Sequence, residues 1–292
     1  MTNLICFGFG YSAEHFVAAY GGKFDRIVGT VRGAERAAIL NAYDGGHLHA
    51  LVFDGAQQTA ELNLAIAEAH CVLVSVPPGE NGDPVLAVFG DALAQAKQLR
   101  AIVYLSTIGV YGDRGGAWVD ETTAPHPDSS RGSARLGAER AWQLVGEQCG
   151  ASVAVLRLAG IYGPGQNALE QVARGKARRV VKPGQIFNRI HVGDIAQAIE
   201  AAFTRRASGI FNVADDEPTP PGDPIVYAAR LLGVEPPPEI PFAQAAPAMS
   251  PMALSFWQEC RRVKNAKLKR ELGVALRYPT YREGLKALAA EK

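Results

Sequence analysis

Two glycines and an alanine near the start of the chain have the spacing of a phosphate-binding turn. Gly8, Gly10 and Ala13 form the pattern G-x-G-x-x-A, between the short apolar run Leu4-Ile5 and a stretch with apolar residues at helical spacing. The first glycine of such a pattern allows a tight turn, and the second lets a pyrophosphate approach the backbone at the start of a helix. We therefore expect a dinucleotide site, with an ordinary glycine-rich turn as the alternative.

Further cofactor contacts are expected within this turn and after later strands, because ligands bind at the carboxyl ends of the strands in such sheets. The predicted contacts are Phe9, Tyr11, Ser12, Ser75, Val76, Pro77, Gly160 and Tyr162. The last two follow the sixth predicted strand, where Tyr162 should face the nicotinamide. Core packing is the alternative for this aromatic residue.

The end of the second predicted strand indicates which dinucleotide binds. NAD-binding sheets carry an acidic residue about 20 residues beyond the glycines, where it holds the ribose hydroxyls. This chain has Thr30 and Arg32 there and no carboxylate. Arg32 can pair with a 2′-phosphate and Thr30 can add a hydroxyl donor, so the sequence favours NADP over NAD. A solvated Arg32 is the alternative, and Asp54 after the third strand is either an adenine contact or a turn residue.

Strand and helix patterns alternate through the first half of the chain and would bring these segments together. Strands are predicted over 26–31, 49–53, 71–76, 101–106 and 152–158, and helices over 34–43, 59–69, 85–99 and 130–148. This alternation is typical of an α/β protein with a doubly wound parallel sheet of the Rossmann type. Regularity weakens beyond Gly165, although 195–203 predicts a helix and 209–213 a strand.

The same patterns predict two parts. Residues 1–163 should form the Rossmann domain, to which 186–214 return, and 164–185 with 215–292 should form a smaller, irregular C-terminal substrate lobe. Basic residues between 168 and 182 suit a phosphorylated or carboxylated small molecule, with a solvated helix end as the alternative.

Composition and charge exclude several classes of protein. The chain has 292 residues and a formal net charge of +1, which gives no indication of a nucleic-acid or membrane surface. No apolar run has the length of a membrane span, and the first strand begins too early to leave room for a signal peptide. The four cysteines and six histidines are scattered, so we expect reduced thiols, no metal site and a cytoplasmic location. The expected partner is a small-molecule substrate, with the chain a monomer or homodimer.

Five later segments carry, in order, the motifs of one known family. They are LSTIGVYG at 105–112, RLAGIYGPG at 157–165, RIHVGDIA at 189–196, FNVADDEP at 211–218 and the segment 268–273. These segments resemble the extended short-chain dehydrogenase/reductase family, also called the NAD(P)-dependent epimerase/dehydratase family. The resemblance implies a Rossmann sheet with a C-terminal substrate lobe and a reaction that begins with hydride transfer at the nicotinamide.

The chain departs from this family at the active site, which normally combines a Ser or Thr with Tyr-x-x-x-Lys. Thr107 stands four residues before Tyr111, where the family's Ser/Thr falls, but Arg131 and Arg135 occupy the Tyr and Lys positions. Arginine stays protonated and cannot act as the general acid/base. The resemblance implies that Thr107 binds the substrate oxygen and that Arg135 contacts the ribose or a phosphate. Arg131 would then face an anionic substrate.

This departure predicts an atypical branch of the family and leaves several alternatives open. The proton could come from Tyr111 or Tyr162, although either could be simple core packing. Both arginines could instead lie on a solvated helix face, since Arg135 and Glu139 share a polar side with Ser133. The expected function is an NAD(P)-dependent oxidoreductase or epimerase/dehydratase-like protein with non-standard acid/base residues, acting on a small, anionic hydroxyl or carbonyl compound. The alternatives are a non-catalytic NADP-binding sensor and a structural protein with a vestigial site.

Overall fold

A computed structural model describes residues 2–43 and 46–291 of the chain, apart from the side chain of Tyr43. The strands are β1 (Asn3–Phe7), β2 (Arg26–Val31), β3 (Leu48–Val52), β4 (Cys71–Val74), β5 (Ala101–Thr107), β6 (Trp118–Val119), β7 (Ser152–Leu158), β8 (Gly160–Tyr162), β9 (Arg179–Val181), β10 (Arg189–His191), β11 (Gly209–Val213), β12 (Glu239–Pro241) and β13 (Arg262–Val263). The helices are α1 (Tyr11–Tyr20), α2 (Ala34–Tyr43), α3 (Ala60–Glu68), α4 (Pro84–Ala94), α5 (Ser130–Cys149), α6 (Ala168–Ala173), α7 (Val192–Arg205), α8 (Asp223–Leu231), α9 (Phe242–Ala245), α10 (Pro251–Gln258), α11 (Ala266–Leu272) and α12 (Tyr281–Ala290).

Seven strands form one parallel sheet in the order β3-β2-β1-β4-β5-β7-β11. The chain order reverses between β1 and β4, so a crevice opens at the carboxyl ends of these two strands. The predicted fold class, a doubly wound parallel sheet of the Rossmann type, is confirmed. The smaller strands pair as β8 with β10, β9 with β12 and β6 with β13.

Two apolar layers hold helices on opposite faces of the sheet. One layer contains Phe16 of α1 and Ile195 of α7, and the other contains Leu62 of α3, Phe89 of α4 and Trp142 of α5. All five side chains are buried. Alternate residues of the strands feed the two layers, as expected for a sheet covered on both sides.

The sequence patterns predict the strands of the seven-stranded sheet better than the helices. The predicted bounds of β2, β7 and β11 match the structure, whereas α4 ends at Ala94 rather than at residue 99. Ala96 and Leu99 remain buried in the turn that follows α4, which explains the continued apolar pattern. The expected irregular C-terminal lobe contains regular helices. For example, Pro224 lies in the first turn of α8, where proline is compatible with a helix. The division into domain and lobe stays a prediction.

The cysteines, the helices and the possible metal ligands are each predicted from the sequence and can be compared with the structure. Cys6 and Cys71 are buried, Cys149 and Cys260 are half-buried, and all four are free. Among the residues described, none of the helices combines the length and apolar composition needed to cross a membrane. Within the same residues, no three His, Cys, Asp or Glu side chains cluster closely enough to hold a metal ion.

Candidate functional site

The glycine turn lies between β1 and α1, and close packing fixes its shape. Gly8 has a φ of +87°, and a Cβ there would lie 2.7 Å from the hydroxyl of Ser75 and 2.9 Å from Val76. Ser75 donates a hydrogen bond to the carbonyl of Gly8, so the end of β4 supports the turn. Only glycine can occupy this position without strain. Val76 is half-buried and the following Pro77 is exposed, at the crevice end of β4.

Gly10 leaves the amino end of α1 open. Its backbone is extended, its position is exposed, and a Cβ there would meet no atom within 4 Å. No side chain caps the helix, so the amides of its first turn, including those of Tyr11 and Ser12, face an uncapped end. Ala13 is fully buried, which lets the helix pack closely on the sheet. This end of α1 has the geometry and partial positive charge that suit a pyrophosphate.

Thr30 requires a correction to the sequence prediction. It is 1% exposed, and its hydroxyl accepts a hydrogen bond from the Gly8 amide at 2.9 Å. Its carbonyl accepts another from the amide of Phe9 at 2.7 Å. Phe9 is itself buried against Gly29, where a Cβ would lie 2.8 Å from its ring. Thr30 therefore holds the turn from inside the protein and is not a direct donor to a 2′-phosphate.

Arg32 is placed differently from Thr30. It is exposed after the carboxyl end of β2 and, within the described ranges, its side chain forms no hydrogen bond or ion pair. The neighbouring cation Arg36 is paired with Glu14 at 2.6 Å. Asp54 is exposed after β3, and its Oδ1 accepts a hydrogen bond from the Ala56 amide at 3.0 Å, which is the turn geometry given above as its alternative role.

Thr107 and Arg135 lie at the carboxyl end of β5. The Thr107 Oγ1 accepts a hydrogen bond from the Gly109 amide at 3.1 Å, and its own hydroxyl hydrogen remains a donor. Nη1 of Arg135 donates to the carbonyl of Leu105 at 2.9 Å and to the hydroxyl of Tyr104 at 3.2 Å. The interpretation that Arg135 lies on a solvated helix face is therefore wrong. Sequence patterns carry no signal for Tyr104, because its partner comes from a distant helix.

Arg131 lies one turn earlier on α5 and is exposed, without a partner in the described part of the chain. The next residue, Gly132, packs against the segment after β5, since a Cβ on it would lie 3.5 Å from the Gly109 carbonyl. The start of α5 therefore lies beside the segment that carries Thr107. A free guanidinium at this position can attract an anion.

Glu139 is a second correction, because it is not on a polar surface. It is 1% exposed and forms a two-point ion pair with Arg157 of β7, with nitrogen–oxygen distances of 3.1 and 2.7 Å. The hydroxyl of Ser106 also donates to it, at 2.5 Å. The ion pair with Arg157 connects α5 to β7, and the hydrogen bond from Ser106, the residue before Thr107, connects α5 to β5.

Neither tyrosine considered as a proton donor is available for that role. Tyr111 is fully buried, and its hydroxyl donates to Asn212 at 2.8 Å. Tyr162 is 8% exposed, and its hydroxyl donates to the carbonyl of Thr280 at 3.4 Å, close to Gly284 of α12. Burial raises the pKa of both phenols. The prediction of a catalytic Tyr111 and the alternative of a proton from Tyr162 are therefore wrong, whereas the placement of Tyr162 at the nicotinamide end stays a prediction.

The β8–β10 pair contains the predicted contact Gly160 and one group, His191, that the sequence analysis did not identify. Gly160 is exposed at the start of β8, and its amide donates to the carbonyl of Asn188 at 3.0 Å. His191 of β10 is buried, and its Nδ1 accepts a hydrogen bond from the Gly193 amide at 3.0 Å. Burial lowers the pKa of His191 to about 4, so the imidazole is neutral. Nothing in the spacing of the six scattered histidines indicates this environment.

The basic segment predicted at 168–182 divides into paired and exposed groups. Arg174 pairs with Glu170 at 3.1 Å, and Arg179 pairs with Glu239 at 2.7 Å. Lys182 donates to a main-chain carbonyl of α10. A surface cavity of about 360 Å³ lies along α6, and its lining residues are Ile161, Gly165, Gln166, Asn167, Glu170, Gln171, Arg174 and Lys176.

Comparison with known proteins supports the family resemblance. Residues 85–214 match the NAD dependent epimerase/dehydratase family. A functionally unknown conserved protein from Silicibacter pomeroyi has a solved structure with 43% identity and a TM-score of 0.88, covering 100% of this chain and 99% of that one.

Two curated relatives match parts of the chain. Protein YeeZ of Escherichia coli K12 is 30% identical over 184 residues, which are 59% of this chain and 63% of YeeZ, less than two thirds of its length. A 3-diazoavenalumate denitrifying reductase from a Streptomyces species is 30% identical over 137 residues, or 45% of each chain.

Proposed function

Because the chain belongs to the NAD-dependent epimerase/dehydratase family, an oxidoreductase family, we propose that it is an NADP(H)-dependent oxidoreductase or epimerase of the extended short-chain type. Its substrate is a small, anionic hydroxyl or carbonyl compound. The partial match to a reductase from a Streptomyces species supports a reductive activity.

The observation that carries this proposal is the open amino end of α1. The space in front of Gly10 is clear within 4 Å, and the helix has no side-chain cap. Gly8 and Ser75 hold the turn in a fixed shape at the switch point of the sheet. These features supply the anion site that a dinucleotide pyrophosphate requires.

The preference for NADP is supported by the exposed, unpaired state of Arg32 in the described structure. A forked guanidinium can form two charge-assisted hydrogen bonds to a 2′-phosphate. The carboxylate of Glu14 forms an ion pair with the guanidinium group of Arg36 at 2.6 Å, so Arg36 balances the charge of Glu14. We therefore assign the recognition of the 2′-phosphate to Arg32 alone, without Thr30.

When bound, the nicotinamide supplies or accepts a hydride, and the residues of this chain position the substrate. Thr107 donates its free hydroxyl hydrogen to the reacting oxygen. The guanidinium group of Arg135, held at the end of β5, contacts the ribose. Its positive charge stabilises the negative charge that develops on the reacting oxygen of the substrate. Arg131 pairs with an anionic group of the substrate, and the solvent supplies the proton, because arginine cannot.

A second candidate function is a non-catalytic NADP-binding sensor. The state of Tyr111 and Tyr162 favours it, because both phenols are buried and hydrogen-bonded away from the site. General acid/base groups are commonly worth about 10²–10⁴-fold in rate, so their loss is a substantial cost for an enzyme.

One pair of measurements separates the two candidates. Calorimetric titration with NADP+ and NADPH reports binding, and the absorbance of the reduced nicotinamide reports turnover with a panel of keto acids and aldehyde phosphates. An oxidoreductase binds NADPH and oxidises it with at least one of these compounds, and Arg131→Ala lowers the rate. A sensor binds both forms and oxidises NADPH with none. Absence of NADP(H) binding would contradict both.

A further inference from the structure

The side chain of Tyr11 connects the glycine turn to the loop after β8. Its hydroxyl donates a hydrogen bond to the carbonyl of Pro164 at 3.0 Å. Its ring lies against His15 of the same helix, with 4.4 Å between the ring centroids. Burial raises the pKa of Tyr11 to about 12, so the hydroxyl keeps its proton near neutral pH and remains a donor.

The loop that Tyr11 holds is closely packed around this contact. A Cβ on Gly163 would lie 2.6 Å from the Tyr11 hydroxyl and 2.6 Å from Val192 of α7, so only glycine fits. The backbones of Gly163 and Gln166 exchange two hydrogen bonds of 3.1 Å each. The contact with Tyr11 therefore fixes a tight turn, not a single flexible residue.

This turn continues directly into α6 and the surface cavity beside it. The Asn167 side chain donates to the Gly163 carbonyl at 2.8 Å and accepts from the Glu170 amide at 3.0 Å, which caps α6. Gly165 and Gln166 lie between the Tyr11 contact and this cap, and both line the cavity. The position of the cavity wall therefore depends on where Pro164 is held.

We propose that Tyr11 is a positioning residue that couples dinucleotide binding to the shape of this cavity, the compartment that receives the polar or anionic part of the substrate. The inference rests on the proposed cofactor site. The backbone amide of Tyr11 belongs to the first turn of α1, where the pyrophosphate would bind, and its side chain holds Pro164. A ligand that restrains the backbone of Tyr11 thus also restrains the loop at 163–167.

Hydrogen–deuterium exchange of the full chain, with and without NADPH, tests this coupling. In the wild type, NADPH should slow exchange across 163–169 by about two- to tenfold, the effect of securing one hydrogen bond. Tyr11→Phe keeps the ring and the backbone amide but removes the donor, so it should bind NADPH without this slowing. Tyr20→Phe, on the same helix, is the matched control, because its hydroxyl forms no hydrogen bond within the described residues, and it should behave as the wild type.

A second variant keeps the test decisive if Tyr11→Phe folds poorly. Tyr11→Leu also removes the hydroxyl donor, adds no side chain at Gly163, and should likewise abolish the NADPH-dependent slowing. Slowing of the loop that persists in a folded Tyr11→Phe protein contradicts the coupling. NADPH binding to the wild type without any slowing contradicts the coupling alone, whereas absence of NADPH binding contradicts the cofactor proposal and the coupling together.

Discussion

The guanidinium group of Arg135 donates a hydrogen bond to the main-chain oxygen of Leu105, 2.9 Å away, and so fixes a permanent positive charge at the carboxyl end of β5. The same nitrogen lies 3.2 Å from the hydroxyl of Tyr104. By the resemblance to the extended short-chain family, this position of the helix corresponds to the family's lysine. The arginine retains the charge of that lysine, but it has no tyrosine one turn before it.

The two arginines of α5 should have separable roles. Arg135→Ala should weaken NADPH binding by about tenfold, the worth of one charge-assisted hydrogen bond, whereas Arg131→Ala should leave it nearly unchanged. Arg131→Ala should instead weaken binding of a small dicarboxylate such as oxalate to the NADPH complex. Arg140→Ala, exposed on the same helix, is the control for both titrations. Equal effects of Arg131→Ala and Arg140→Ala on oxalate would contradict the assignment of Arg131.

Gly10 and Gly8 should respond differently to valine. Gly10→Val should fold with unchanged stability, because its side chain enters open space, but should lose dinucleotide binding, because that space belongs to the pyrophosphate. Gly8→Val should destabilise the fold by about 1 kcal/mol or more, because φ is +87° and the Cβ clashes with Ser75. Thermal unfolding and calorimetric titration measure the two effects. Gly10→Val with wild-type affinity would place the cofactor elsewhere.

The buried ion pair below the site should be important for stability. Glu139→Gln leaves the buried guanidinium of Arg157 without its counter-charge and should lower the free energy of unfolding by about 3–5 kcal/mol. Glu14→Gln is the matched control, because its ion pair with Arg36 is exposed and should be worth less than about 1 kcal/mol. Urea unfolding measures both variants. Similar losses in the two would show that the buried pair has no special role.

The contribution of His191 to stability should fall in mild acid, because its imidazole is buried in the neutral form. An unfolded histidine takes up a proton near pH 6.5, whereas the folded state holds the pKa of His191 at about 4. Between these values the unfolded histidine binds more protons than the folded one, so the contribution of His191 to stability decreases by up to about 3 kcal/mol as the pH falls from 6.5 to 4. His191→Gln should flatten this part of the profile relative to the wild type. Parallel profiles of the two proteins would contradict this prediction.

The fold was predictable because it depends on local patterns. Gly8 and Gly10 lie between an apolar run and a helical pattern, and the alternation that follows restricts the chain to a parallel sheet. The motifs around Thr107 and Arg157 then identified the family. The C-terminal helices were harder to predict, because Pro224 can either break a helix or begin one, and the sequence alone does not distinguish the two cases.

The site was only partly predictable, because the state of a polar side chain depends on distant partners. Thr30, Tyr111 and Glu139 are residue types that suit a cofactor or substrate site. Each of them is instead buried and hydrogen-bonded to a partner far away in the sequence. The sequence predicts Tyr11 as a cofactor contact, but the role of its hydroxyl depends on Pro164. No local pattern carries this information.

A calorimetric experiment can test whether the glycine turn and Arg32 bind NADP(H). NADP+ and NAD+ are titrated into the wild type, Arg32→Ala and Arg26→Ala, in which Arg26 lies at the opposite end of β2 and pairs with Glu68. NADP+ should bind the wild type at least about tenfold more tightly than NAD+, and Arg32→Ala should remove this difference by weakening the binding of NADP+ alone. Arg26→Ala should change neither affinity. Tighter binding of NAD+ to the wild type, or an NADP+ affinity that Arg32→Ala leaves unchanged, would contradict the account.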